Sequence, residues 1–365
     1  GNRDRHVPWF LIPEEDKLKT VQRLKYLKPE GEVLNSWHYS NMGYTLAGTI
    51  IEQVTNNSWR SNIASKIFRP LHMNHSFTSL SEMQATKDYS IGYGLSNGKT
   101  EAVLYENFYS YSPASGIKST ALDLGNWMSM WLNDGQFNEQ QVLSIDYVKY
   151  TTSMHNIRPQ EGADKDVYLF GDGLGWRVES FNGHFKVHHG GNTSGFSTHL
   201  VMFPNEKIGI VVLANQNNSL LPYMVSHLIS TRMLNLPSVK LEAYPTVVGE
   251  IYKADPRHQK IDFENPPSHS IAKFAGKYTA KGYGKIEIRY EEKQLLAHFP
   301  TFKFQLEHSN FNTFFMKGIE AIPQIMNPEF NLQFVVDING DINGDISGLK
   351  LYSQKEPIFF TKKRT

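Results

Sequence analysis

Tyr39-Ser-Asn-Met-Gly-Tyr-Thr-Leu-Ala-Gly-Thr-Ile-Ile-Glu-Gln-Val-Thr55 opens on a polar triplet and runs into a helical pattern. From Gly43 to Thr55 the apolar residues Leu46, Ala47, Ile50, Ile51 and Val54 recur at helical spacing, which predicts one buried helix face. Alone, Tyr39-Ser40-Asn41 has an ordinary reading: a tyrosine packed at the start of a helix, with Asn41 as its N-cap. Its chemical reading is a phenol that can exchange a proton beside an amide that can hold a carbonyl.

A second segment, His189-Gly190-Gly191-Asn-Thr-Ser-Gly195-Phe196, sits inside a run of strand patterns. Leu174–Phe181, Asn182-Gly183 and His184–His189 read as a hairpin, because Asn-Gly favours the turn that matches strand twist. Phe196–Phe203 and Ile208–Ala214 read as two more strands joined at Pro204-Asn205, and Ser219–Leu234 as a helix. Paired glycines in a strand mark close approach of another backbone. The same lack of side chains would let an acyl group lie along the strand.

Around these segments, Glu14–Tyr26 has helical spacing with Leu18, Val21, Leu24 and Leu27 on one side. A helix carrying Ile63 and Ile67 follows Asn57-Ser58 and ends before Pro70, and residues 72–118 read as loop-rich. Thr120-Ala-Leu-Asp123 is a capping-box-like start, with Leu124, Trp127, Met128 and Trp131 expected to be buried before a stop at Asp134-Gly135.

The chain has 365 residues, enough for two or three domains. Its 37 basic and 36 acidic residues leave a net charge of +1, without the basic excess a nucleic-acid partner requires. With no cysteine, disulfides, thiolate metal sites and cysteine nucleophiles are excluded. No apolar run reaches transmembrane length. Prolines 237, 245, 256, 266 and 267 punctuate a boundary, around one candidate helix at Val247–Lys253. The domains are read as 1–240, a linker over 241–270 and 271–365. Beyond Phe274, eight short alternating segments predict a small closed barrel.

Taken in order, the Tyr39–Thr55 stretch, Pro70-Leu71-His72-Met73, Ser119-Thr120-Ala-Leu-Asp123, and His189-Gly190-Gly191 through Asn215 resemble the serine β-lactamase-related family. That family groups class C β-lactamases, esterases, D-peptidases and penicillin-binding proteins. The resemblance implies an α+β fold, an antiparallel sheet flanked by helices and truncated at its N-terminus. The C-terminal all-β barrel resembles the lipocalin-like module appended to many relatives. His189, Gly190 and Gly191 take the places of a Lys-Thr-Gly motif. The implied chemistry is acyl transfer through a serine ester, on an ester, D-amino-acid peptide or β-lactam-like amide, with no cofactor. Tyr39, as phenolate or sharing a proton with a lysine, would move the serine proton. Asn41 would hold that lysine and the substrate carbonyl. His189 would face the cleft, and the backbone N–H of Asn192 would help form the oxyanion hole. A neutral His189 would lack the fixed charge a lysine offers a carboxylate.

The Ser-x-x-Lys nucleophile of this family is expected well upstream of Tyr39, and the residues before Tyr39 contain none. The nucleophile segment is therefore expected in a missing N-terminal part or separate chain. Ser96-Asn-Gly-Lys99, Ser115-Gly-Ile-Lys118 and Ser270-Ile-Ala-Lys273 match the letters, but none is expected to start a buried helix. His184, His188, His189 and His199 cluster in sequence, yet alternation puts His184 and His188 opposite His189, and no carboxylate completes a zinc site. The run from Asp337 to Asp345 fails as a calcium loop, since Ile342 and Gly348 stand where Gly and Glu are needed. The sequence thus points to a serine hydrolase taking a small-molecule or peptide substrate. The other reading is a binding protein for peptidoglycan-like or peptide ligands that keeps the cleft without the reaction. Absence of cysteine fits export to the periplasm or the exterior.

Overall fold

A computed structural model describes residues 11–12, 16–27, 29, 38–96, 99–105, 111–158, 167–237, 265–319, 330–337, 344–352 and 357–363. The candidate helix at Val247–Lys253 and most of the Asp337–Asp345 run lie outside them. The chain divides into two compact units, one built mainly from Gly43–Val248 and the other from Gly249–Thr365 together with Asn2–Pro29.

In chain order the helices are α1 (Lys17–Gln22), α2 (Asn41–Thr55), α3 (Trp59–Ile63), α4 (Leu80–Ala85), α5 (Ser112–Ser115), α6 (Ala121–Leu132), α7 (Ile145–Thr152) and α8 (Leu221–Met233). The strands of the first unit are β1 (Tyr93–Ser96), β2 (Lys99–Ala102), β3 (Gln136–Phe137), β4 (Gln140–Gln141), β5 (Asn156–Ile157), β6 (Val167–Asp172), β7 (Arg177–Phe181), β8 (His184–Thr193), β9 (Phe196–Phe203) and β10 (Ile208–Ala214).

Strands β5 to β10 form one antiparallel sheet in the order β10-β9-β8-β7-β6-β5. Asn182 and Gly183 take φ of 48° and 84°, the left-handed pair that closes the β7–β8 hairpin. One face of the sheet, with Trp176, Val187 and Met202, packs on Met128, Met130 and Trp131 of α6 and on Leu71 and Met73. The other face, with Phe181, Val201, Phe203 and Ile210, packs beneath Leu234 and Leu236 at the end of α8. Both faces are covered, and β10 is apolar on both sides. Strand β10 has β9 as its only strand partner among the described residues.

Helix α6 starts as its sequence suggests, with Thr120 Oγ accepting the Asp123 N–H at 3.2 Å. Asp123 does not turn back to complete a capping box. Its carboxylate accepts instead from His75 N and Ser76 Oγ, tying the helix to the preceding loop. Leu124 and Trp127 are half-buried, and Met130 takes the fully buried place. The loop-rich reading of 72–118 holds α4, α5 and the β1–β2 hairpin.

Helix α2 corrects the sequence reading. Ile50, Ile51 and Val54 are 52 %, 39 % and 77 % exposed, while Met42, Thr45 and Thr49 are buried. The buried side is set by close approach: a Cβ on Gly48 would lie 2.3 Å from Pro113 Cγ, so only glycine admits that contact. Thr49 Oγ donates to Thr45 O at 2.8 Å, which lets a threonine face the interior without an unsatisfied hydroxyl. Leaving Ile50 and Val54 in water forfeits roughly 1.5–3 kcal/mol of burial each.

In the second unit, β11 (Gly276–Ala280), β12 (Gly284–Glu291), β13 (Gln294–His298), β14 (Lys303–Asn310), β15 (Thr313–Gly318), β16 (Asn331–Val336), β17 (Ile346–Tyr352) and β18 (Ile358–Lys362) close into a barrel. Its interior is packed with Phe274, Tyr278, Phe304, Phe314, Phe334 and Phe360, so it is a core and not a vessel. Leu11 and Ile12, each 2 % exposed, join that core. Thr301 Oγ donates to Leu11 O, and the Arg23 guanidinium to Ile12 O at 2.9 Å and Tyr283 O at 3.4 Å. The helix expected over Glu14–Tyr26 is α1 followed by a 3₁₀ turn at Arg23–Tyr26. It buries Thr20, Arg23 and Leu27 and leaves Leu18 43 % exposed.

Candidate active site

Pairing of β8 with β9 fixes where the chemistry-bearing residues stand: His189 opposite Leu200, Gly190 opposite His199, Gly191 opposite Thr198 and Asn192 opposite Ser197. A Cβ on Gly191 would come within 2.7 Å of Thr198 Oγ1, so the bare backbone at this point is a packing requirement as well as an opening. His189 Nδ1 donates to Gly190 O at 2.7 Å, which leaves Nε2 as the lone-pair nitrogen. Burial, reinforced by the positive charge of Arg177, pushes the His189 pKa down, so the ring is neutral at pH 7.

Tyr39 lies just ahead of α2 and is half-buried. Burial raises its pKa and the guanidinium of Arg177 opposes that rise without cancelling it. The resting group is therefore a phenol, and the phenolate anticipated from the sequence needs a further cation. Tyr44, one turn along α2, is a second phenol raised by burial, by Tyr39 and by Asp172. Asn41 is the first residue of α2 and is half-buried. The Asn192 side chain is occupied elsewhere: its amide nitrogen donates to Asn218 Oδ1, and its oxygen accepts from Ser197 Oγ and Asn218 N.

Arg177 is the residue the sequence concealed. Its charge acts on both Tyr39 and His189, and it interacts in turn with Asp172 and Arg158. Arg158 and Asp172 form a bidentate ion pair across the short β5–β6 ladder. Asp172 is the hairpin partner of Arg177, while Arg158 and Tyr39 reach it only through the fold, so no local motif announces the group.

The face opposite His189 carries a buried polar chain, and Arg177, the cross-strand partner of His188, stands on that side by register. Glu179, Lys186, His188, His199 and Ser226 are all at most 8 % exposed. His188 and His189 thus serve different faces, as strand alternation requires. Among the described residues no three histidine or carboxylate side chains group as a metal site.

None of the three Ser-x-x-Lys matches has the geometry of a nucleophile. Ser96 and Lys99 are backbone register partners in the β1–β2 hairpin, with no helix between them. Ser115 ends α5, while Lys118 lies beyond it in a bridge to Phe77, its Nζ donating to Gly116 O at 2.8 Å. Burial, with Arg60 nearby, lowers the Lys118 pKa to about 8. Ser270 and Lys273 are exposed on either side of a 3₁₀ turn in the barrel unit.

A family model described as Beta-lactamase matches residues 4–224, and one described as a domain of unknown function, DUF3471, matches residues 262–362. Protein flp of Staphylococcus aureus is 29 % identical over 200 residues, 54 % of this chain and 37 % of that protein. Unguisins hydrolase ungD' of Aspergillus campestris is 23 % identical over 294 residues, 76 % of this chain and 54 % of that protein. The chain thus spans about a third to a half of the length of these relatives. An octameric penicillin-binding protein homologue from Pyrococcus abyssi shares the fold with a TM-score of 0.54 at 19 % identity, over 96 % of this chain and 71 % of that one. Among the described residues, no helix is long and apolar enough to cross a membrane.

Proposed function

The chain belongs to the beta-lactamase family, and on that premise we propose that the complete protein is an exported serine hydrolase acting through an acyl-enzyme. Its substrate class is an ester, a D-amino-acid peptide or a β-lactam-like amide. The observation that carries this reading is that the charge of one guanidinium, Arg177, acts on both Tyr39 and His189, the latter next to the side-chain-free Gly190-Gly191 on β8.

The nucleophile is a Ser-x-x-Lys serine in a segment outside this sequence. The exposure of Ile50, Ile51 and Val54 along α2 supports this, since an apolar helix seated there would bury them. In the first half-reaction the serine oxygen attacks the acyl carbon, and its proton passes to Tyr39 once the motif lysine has drawn the phenol toward phenolate. Tyr39 then hands the proton to the departing oxygen or nitrogen, and water repeats the sequence in reverse to release the acid. Backbone N–H groups of Asn192 and of the serine hold the oxyanion, and Asn41 positions the carbonyl. Neutral His189 accepts a hydrogen bond at Nε2, and Arg177 supplies the fixed positive charge that this ring lacks.

Intact-mass analysis of the complete protein after exposure to a fluorophosphonate, and separately to a penicillin, tests the proposal. One covalent adduct on a serine of a Ser-x-x-Lys helix is the expected result, and the preferred reagent separates ester from β-lactam chemistry. A folded protein that takes up neither reagent would establish instead a binding protein with an intact cleft.

A further inference from the structure

The barrel unit contains a cleft of about 510 Å³ where Ile12 and Arg23 meet the barrel strands. Its polar lining is Arg23, Thr279, Lys285, Lys363, His298 and Glu287, with Lys285 and Lys363 beside one carboxylate. Glu287 is itself contacted by Arg289 at 3.3 Å, which offsets its charge further and holds its pKa below the usual carboxylate value. The apolar wall is Ile12, Phe299 and Pro300. His298 Nε2 is shut off from solvent with no hydrogen-bond partner, and a bound acceptor or donor would supply one.

Strand order explains why the cations converge. Lys285 is on β12, paired with Thr279 of β11, and Lys363 follows β18 with its N–H donating to Lys277 O of the same β11. The two lysines therefore flank one strand. The barrel interior is filled by aromatic side chains, so a ligand of this unit has its place outside the barrel, in this cleft.

We propose that the cleft binds a small organic carboxylate, its head group between Lys285 and Lys363 and its apolar arm against Ile12, Phe299 and Pro300. The wall selects an organic acid over an inorganic anion, and the lysines select an acid over a neutral alcohol. Because Ile12 and Arg23 come from the N-terminal segment and the lysines from the barrel, the ligand binds the docked segment better than the released one and stabilises it by linkage. The assignment does not depend on the hydrolase reading.

Calorimetric titration of the chain with hexanoate, 1-hexanol and inorganic phosphate reads it directly, with hydrogen exchange of residues 23–27 as a second signal. Hexanoate is expected to bind more tightly than either comparator and to slow exchange in that segment. The Lys285→Glu/Lys363→Glu variant, altered at two exposed positions, is expected to bind hexanoate about tenfold more weakly with an unchanged melting temperature. His298→Gln is expected to weaken binding by a smaller factor. Absence of hexanoate binding at millimolar concentration, equal binding of hexanol or phosphate, or binding indifferent to the double charge reversal would each overturn the proposal.

Discussion

His188 Nδ1 lies 3.0 Å from His199 Nε2, and this contact joins β8 to β9 through a single buried proton chain. At one end Glu179 accepts from Lys186 Nζ at 2.6 Å and faces His188 Nε2 at 3.3 Å; at the other, His199 Nδ1 lies 2.6 Å from Ser226 Oγ on α8. Burial alone would raise the Glu179 pKa, but His188 and Lys186 pull it well below the carboxylate range. With Glu179 ionised, His188 must present N–H at Nε2 and accept at Nδ1. His199 then donates from Nε2, and its Nδ1 meets the Ser226 hydroxyl, whose one proton is divided between that ring and Tyr223 O at 2.9 Å.

Acid should therefore open this seam. Burial pushes the pKa of His188 down to about 4 and that of His199 to about 3. The unfolded chain binds these protons near pH 6.5, earlier than the folded one, so stability rises with pH wherever the two differ. It is complete above about pH 6.5 and falls as pH drops toward 4, and Glu179 adds a loss of the same sign below about 4.5. Urea midpoints of the chain measured from pH 8 to 4 should be flat, then decline. A midpoint that climbs on acidification would contradict the neutral chain.

Arg177→Met removes the charge shared by Tyr39 and His189. The His189 pKa should move up toward its ordinary value, because a repelling cation has gone, and the Tyr39 pKa should move further up, because an attracting one has. NMR titration of the His189 ring reads the first shift. In the complete protein the same variant should lower kcat/KM for an anionic substrate by about tenfold, and Arg177→Lys should restore part of it.

Gly191→Ala should destabilise the first unit by about 1–3 kcal/mol, since the new methyl meets Thr198 Oγ1 at 2.7 Å. Thr198→Ala removes that oxygen. The double variant should recover most of the loss, so the cycle yields a coupling energy of about 1 kcal/mol or more. Additive losses in denaturant melts would mean that backbone strain, and not the Thr198 hydroxyl, excludes a side chain at Gly191.

Ile50→Lys and Val54→Lys distinguish a free helix face from one awaiting a partner. In the chain as described each should change stability by less than about 0.5 kcal/mol, because both side chains are exposed. In a complete protein that seats an apolar helix on α2, the same changes should cost about 2–5 kcal/mol each. Equal effects in the two proteins would remove the support that α2 gives to an upstream nucleophile helix.

The strands were the legible part of this chain. Asn182-Gly183 specified a turn that only left-handed residues make, and the alternation in β9 and β10 left one register that buries Phe203 and Ile210. In the barrel, the alternate positions of β14, Phe304 and Leu306, could point only inward. Helix α2 was misread because apolar spacing reports which face could be buried, whereas contact with Pro113 decided which face was. Arg177 escaped notice because its significance comes from Arg158 and Asp172, neighbours made by strand pairing. Burial of Leu11 and Ile12 in a barrel that begins more than 260 residues later is a long-range pairing, and no local pattern encodes it.

Strand β10 presents seven residues, Ile208–Ala214, whose outer edge has no neighbouring strand among the described residues. An edge of that kind is a template for any extended chain that reaches it, including another copy. Most proteins blunt such an edge with charge or proline; β10, Ile-Gly-Ile-Val-Val-Leu-Ala, has neither. A net charge of +1 gives little mutual repulsion to keep molecules apart. Association of copies through this edge is the expected route out of solution, and it steepens with concentration.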